Sequence, residues 1–83
     1  MLFIKKEYKR YIKNVQMENV NNFSKYVDDH SLSFQLQFYH SRSCTIFEYN
    51  SLNELEEDIL KLEYIIKNYT KGVYTLDEII IPN

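Results

Sequence analysis

The sequence predicts an α+β fold: a small single domain in which an antiparallel β-hairpin, or a three-stranded sheet, is packed by one long helix, with a further helix near the N-terminus. Three observations lead there. Apolar residues alternate with polar ones from Ser31 to Tyr49, and helical spacing runs from Ser51 to Tyr69. The third is size: 83 residues with 45 % apolar side chains suffice for one thin core, and hence one domain over 1–83.

In SLSFQLQFY, Leu32, Phe34, Leu36 and Phe38 alternate with Ser33, Gln35, Gln37 and Tyr39, which reads as a strand over about 31–39 with one apolar face. HSRS interrupts the alternation, and a second strand follows over about 43–49. Its Thr45, Phe47 and Tyr49 share one face, and Cys44, Ile46 and Glu48 the other. Ile46 and Phe47 compete for the interior. The two strands are expected to form a hairpin that turns near Ser41–Arg42.

Ser51 and Glu54 make a capping-box pattern before a helix over about 52–69. Leu52, Leu55, Ile59, Leu62, Ile66 and Tyr69 fall at spacings of three and four and are taken as its buried stripe. Gly72 is placed to help end it, and Glu57–Lys61 and Glu63–Lys67 support it from outside. Before residue 31 the pattern is ambiguous. Tyr8, Tyr11, Ile12 and Val15 have helical spacing, as do Val20, Phe23 and Val27. The expectation is a helix near 5–15 followed by an irregular or partly helical stretch, with a third strand as the alternative within 5–27. TLDE near the C-terminus offers a second capping box, Thr75 with Glu78, and the III that follows reads equally as a short strand.

Net charge is −2 but unevenly spread. Lys5, Lys6, Lys9, Arg10 and Lys13 oppose a single Glu7 in residues 1–16, whereas residues 41–60 hold Glu48, Glu54, Glu56, Glu57 and Asp58 against Arg42. The lone Cys44 leaves no internal disulfide and fits a reducing compartment. MLFIKK lacks the apolar core of a secretory signal, and no run is long enough to span a membrane, so no membrane partner and a cytoplasmic location, in its own or a host cell, are expected.

No catalytic signature is present, and an enzyme, a metal or another cofactor is not expected. His30, His40 and Cys44 lack the spacing of a zinc site and do not make a nucleophile–base pair. In ELEED, Glu54 and Asp58 stand four residues apart without a histidine to complete a carboxylate metal site, and acids in the first turns of a helix favour its dipole.

Two surfaces are candidates for a partner. Leu60, Tyr64 and Ile65 lie off the centre of the main stripe, and Ile65 is read as facing away from it, beside Glu54 and Asp58. Glu54, Glu57, Asp58, Tyr64 and Ile65 would then form a protein-binding face with an apolar centre and an acidic rim, unless the N-terminal segment covers it. The second surface is KKEYKRYIK, whose Lys5, Lys6, Lys9, Arg10 and Lys13 interleave with Tyr8 and Tyr11 in the manner of phosphate contacts and stacking rings. The expected function is a non-catalytic interaction module that inhibits or regulates a larger nucleic-acid-processing complex. The alternatives are a small nucleic-acid-binding protein and a homodimeric subunit that buries Tyr64 and Ile65. In size and in its richness in Asn, Ile, Lys and Tyr the chain looks like the accessory proteins of phages and mobile elements, anti-CRISPR and anti-restriction inhibitors among them, although no motif is shared.

Overall fold

In chain order the strands and helix are β1 (Leu2–Glu7), β2 (Ile12–Gln16), β3 (Asn22–Asp28), β4 (Ser33–Tyr39), β5 (Cys44–Tyr49), α1 (Leu52–Asn68) and β6 (Gly72–Thr75) in the computed structural model, which describes residues 1–82. Short 3₁₀ turns follow β2 at Met17–Asn19 and β6 at Leu76–Glu78. Two three-stranded sheets result, in the orders β2-β1-β6 and β3-β4-β5. β1 runs antiparallel to β2, with Ile4 opposite Val15, and parallel to β6, with Ile4 opposite Tyr74. The second sheet is an antiparallel meander in which Leu36 faces Lys25 on one side and Phe47 on the other.

Both sheets and the helix share one core. Leu2, Ile4 and Val15 come from the first sheet, Leu36, Phe38, Phe47 and Tyr49 from the second, and Leu55, Leu62 and Ile65 from α1, with Leu76 closing the cluster. The hairpin β4–β5 forms as its alternation requires, closed by His40 N–H donating to the Ser43 carbonyl at 2.9 Å. Phe47 wins the interior of β5 over Ile46, and its ring meets Phe38 edge-on at 4.9 Å. Leu32 departs from the pattern. It precedes β4 in a turn with φ of 54° and is 72 % exposed. The Asp28 carboxylate organises that turn by accepting from the backbone of His30 and Ser31 and from the Ser31 hydroxyl.

The N-terminal helix expected near 5–15 is not formed; that segment is the hairpin β1–β2, closed by Tyr8 N–H donating to the Tyr11 carbonyl at 2.8 Å. A two-residue loop, Lys9–Arg10, sets its flanking residues three apart in sequence. This is also the spacing of neighbours on a helix face, so the stacked pair Tyr8–Tyr11, with centroids 4.9 Å apart, imitates a helical contact. Phe23 and Val27 likewise belong to no helix, since β3 occupies Asn22–Asp28, and Val20 only caps the 3₁₀ turn Met17–Asn19. β6 takes Gly72 as its first residue, at φ of +120°, where a Cβ would sit 3.0 Å from the Tyr74 ring. Gly72 therefore begins a strand rather than ending the helix. At the C-terminus Thr75 makes no side-chain cap, and Ile79–Ile81 form no strand.

α1 ends at Asn68 and is capped as expected: Ser51 Oγ accepts from Glu54 N–H at 3.2 Å, and the Glu54 carboxylate reaches back to Asn50 N–H. Its buried face is rotated from the expected stripe. Leu55, Asp58, Leu62 and Ile65 point inward, Ile59 is half-buried, and Leu52, Ile66 and Tyr69 lie on the exposed side. At about 100° per residue, Ile65 stands only about 60° from Leu62, so Ile65 and Asp58 extend the core face to one flank. Ile65 is thus no surface residue.

The rotation is checked by paired substitutions in α1. Ile65→Ala is expected to cost about 2–5 kcal/mol of unfolding free energy, as for a fully buried aliphatic. Ile66→Ala, at 41 % exposure, should stay below about 1 kcal/mol in the same urea titration.

Candidate functional site

Strand alternation sends Leu2, Ile4 and Lys6 of β1 to the same side, so an ammonium group follows two core residues into the interior. Lys6 Nζ lies 2.9 Å from Asp58 Oδ2 on α1 and 2.8 Å from Asp77 Oδ1 in the last 3₁₀ turn. It also sits over the Tyr49 ring, 5.1 Å from the centroid. The Tyr49 hydroxyl donates to the same Asp58 oxygen at 2.8 Å, and Lys61 Nζ stands 3.9 Å from the other one. Lys61 thereby pairs with Asp58 instead of Glu57. Asp77 Oδ2 accepts from Glu7 N–H at 2.9 Å. Asp58 is only 4 % exposed, yet among the described residues every buried side-chain nitrogen and oxygen has a partner.

The network shifts the ionisation of Lys6, Asp77 and Tyr49. Desolvation pulls the Lys6 amine down, but its hydrogen bonds to Asp77 and Asp58 and their charges outweigh this, and its pKa lies above the ordinary 10.5. Burial pushes the Asp77 carboxyl up, but the bonds from Lys6 and from Glu7 N–H prevail and hold it below 3.8. Burial, reinforced by the Asp58 carboxylate, raises the Tyr49 phenol far above its usual range and keeps it a donor. Nearby, burial pushes the Tyr8 phenol up to about 12.

Above this floor opens a cleft of about 350 Å³, walled by Glu7 and Tyr8 of the first hairpin, Glu48 and Asn50 at the end of β5, and Glu54 and Glu57 on α1. Six carboxylates line it against Lys6 and Lys61, and those of Glu7, Glu48, Glu54 and Glu57 belong to exposed residues. It is an open, electronegative depression with no nucleophile–base pair on its walls. On the opposite flank of α1, a second depression of about 410 Å³ lies between Phe23, Ser24 and Lys25 of β3 and Glu56, Ile59, Leu60 and Glu63 of the helix.

The structure divides the expected partner residues. Glu54 and Glu57 stand on the cleft rim, Asp58 lies in its floor, Ile65 is in the core, and half-buried Tyr64 lies outside the cleft, with its ring 6.3 Å from Tyr69. The expected basic surface is divided too. Lys6 is consumed by the network. Lys13 donates to the Ile46 carbonyl at 2.6 Å with its ammonium 5.8 Å from the Tyr8 ring centroid. Lys9 and Arg10 are exposed at the hairpin tip, and Lys5 lies on the other face of β1. His40 bonds the Asn19 carbonyl and the Thr45 hydroxyl, Cys44 is exposed, and among the described residues no group of His, Cys, Asp and Glu is arranged to hold a metal. No described helix is long and apolar enough to cross a membrane. Sequence reasoning missed Tyr49, Asp77 and Glu48. Only Lys6 carried a local sign, since it continues the inward register of Leu2 and Ile4.

Asp58→Ala leaves Lys6 paired with Asp77 but takes the acceptor from the buried Tyr49 hydroxyl, so it should cost about 1–3 kcal/mol, read from chemical denaturation. The acid limb has a defined sign. With its folded-state pKa below the unfolded value near 3.8, Asp77 adds stability that is complete above that value and is lost as pH falls through the folded one. Asp77→Asn should therefore flatten the decline in melting temperature between about pH 4 and pH 2. An unchanged acid limb would show that Asp77 does not contribute.

Comparison of the chain with protein-family models, with curated proteins and with solved structures finds no match.

Proposed function

We propose that this chain is a non-catalytic protein–protein interaction module whose acidic cleft receives a basic segment of a larger protein. The observation that carries the reading is the cleft itself: Glu48, Glu54 and Glu57 stand around a floor whose charges are already satisfied by Lys6, Tyr49 and Asp77. Rim carboxylates with no ammonium of their own are available to an incoming Lys or Arg. A charge pattern of this kind also speeds encounter with a positively charged partner. Bound in a basic channel, these carboxylates would occupy positions otherwise taken by phosphates. In that form the module acts as an inhibitor or regulator of a nucleic-acid-processing complex.

Direct nucleic-acid binding through the N-terminal segment is the weaker reading. It loses Lys6 and Lys13 to contacts inside the molecule, which leaves Lys5, Lys9 and Arg10.

The test compares the wild type with Glu54→Lys/Glu57→Lys as immobilised baits in nuclease-treated lysate. The wild type should retain a stoichiometric protein at about 0.1 M salt and release it near 0.5 M, where exposed charges are screened within about 4 Å. The variant should retain none at either salt while keeping its far-UV CD spectrum. Equal capture by both baits would overturn the reading.

A further inference from the structure

The two edges of the second sheet are treated differently by the rest of the molecule. The outer edge of β5 is covered. The Tyr8 hydroxyl accepts from Glu48 N–H at 2.7 Å and donates to the Glu48 carbonyl at 3.1 Å, and Lys13 Nζ takes the Ile46 carbonyl. The edge of β3 has no cover from another element among the described residues; the one side-chain bond to its backbone is local, Phe23 N–H donating to Asn22 Oδ1 at 2.9 Å. At seven residues it is longer than the open edge strands β2 and β6 of the first sheet, which have five and four. An edge of this kind presents a row of backbone donors and acceptors to any strand that arrives.

What lies beside that edge is equally specific. α1 packs over β4 and β5 and leaves β3 overhanging, which creates the depression between β3 and the helix. Phe23 and Ile59 are half-buried there, Leu60 is 59 % exposed, and Glu56 and Glu63 form the helix side of the rim. A fourth strand added to β3 would turn every second side chain toward this space.

We infer that a second copy of this chain is that fourth strand's source: two molecules pair β3 to β3, antiparallel about a two-fold axis, into one six-stranded sheet with both helices on the same face. An isologous pairing matches the open edge with an identical one. The charges allow it. Lys25 on an open edge ordinarily discourages pairing, but here it faces Glu56, 3.7 Å away, with Glu63 in the same depression. Each copy thus brings two carboxylates and one ammonium, and an axis at Tyr26 sets Lys25 opposite the partner's Val27 rather than opposite another lysine. The same axis brings the half-exposed Tyr26 rings together on the outer face and covers Leu60 on the inner one. Because the acidic cleft lies on the other flank of α1, the dimer carries two clefts, and its formation does not depend on their use.

Sedimentation velocity from about 5 to about 500 µM, the range over which a weak to moderate dimer dissociates, should show the mass rise from 10.1 kDa toward twice that value. Leu60→Glu and Lys25→Glu, both at exposed positions, should each raise the dissociation constant at least about tenfold with unaltered CD spectra. Hydrogen exchange in 22–28 should slow with concentration, and that in 12–16 should not. A mass of one chain throughout the range overturns the inference, as does a dimer indifferent to both substitutions or one whose protection falls on 12–16. Glu54→Lys/Glu57→Lys, which addresses the cleft, should dimerise like the wild type, so the two proposals fail separately.

Discussion

The contact on which the rest of the molecule depends is the ion pair between Lys6 and Asp58. It joins the first sheet to the helix at the margin of their shared apolar core, and with Tyr49 and Asp77 it gathers four elements at one point. Taking these charges out of water carries a desolvation penalty that their attraction only partly offsets. Such a pair is therefore better regarded as a specification than as a source of stability. A helix with leucines and isoleucines on several sides has more than one rotation that buries enough apolar area. The observed rotation is the one that gives Lys6 a second carboxylate in Asp58 and Tyr49 an acceptor. It draws Ile65 inward, turns Ile66 out, and determines which acids look onto solvent.

The two depressions follow from that rotation. Residues three or four apart on α1 fall to the same flank, so Glu54, Glu57 and Lys61 go to the side of the first hairpin, and Glu56, Leu60 and Glu63 to the side of β3. The helix is therefore a ridge between two surfaces of different character. One is ionic; the other is largely apolar and adjoins an open sheet edge.

How much was legible in the sequence varied with the range of the forces involved. β4, β5 and the cap of α1 rest on alternation and on side chains that bond within a few residues, and they formed as read. The N-terminal hairpin was obscured by its own two-residue loop, which reproduced helical spacing in Tyr8 and Tyr11. The rotation of α1 was obscured because Asp58 looks like any surface acid until Lys6 is brought to it across most of the chain. The same holds for the candidate site. Glu54 and Glu57 were recognisable as outward-facing carboxylates on a helix, whereas Glu48 and Asp77 join them only through the topology of two sheets.

The parallel pairing of β1 with β6 sets an order on events during synthesis. The β3–β4–β5 meander and α1 are contiguous in sequence, and their contacts close short loops. β1, in contrast, occupies the middle of its sheet with Leu2 opposite Gly72, so one of its sides stays empty until β6 has been made. Contacts of such separation form slowly, because loop closure must precede the gain from pairing. Until then the nascent hairpin presents Leu2, Ile4 and an unpaired strand edge to its surroundings, where it is open to aggregation and to holdase chaperones. The slowest part of the molecule to mature is thus the strand made before the other five.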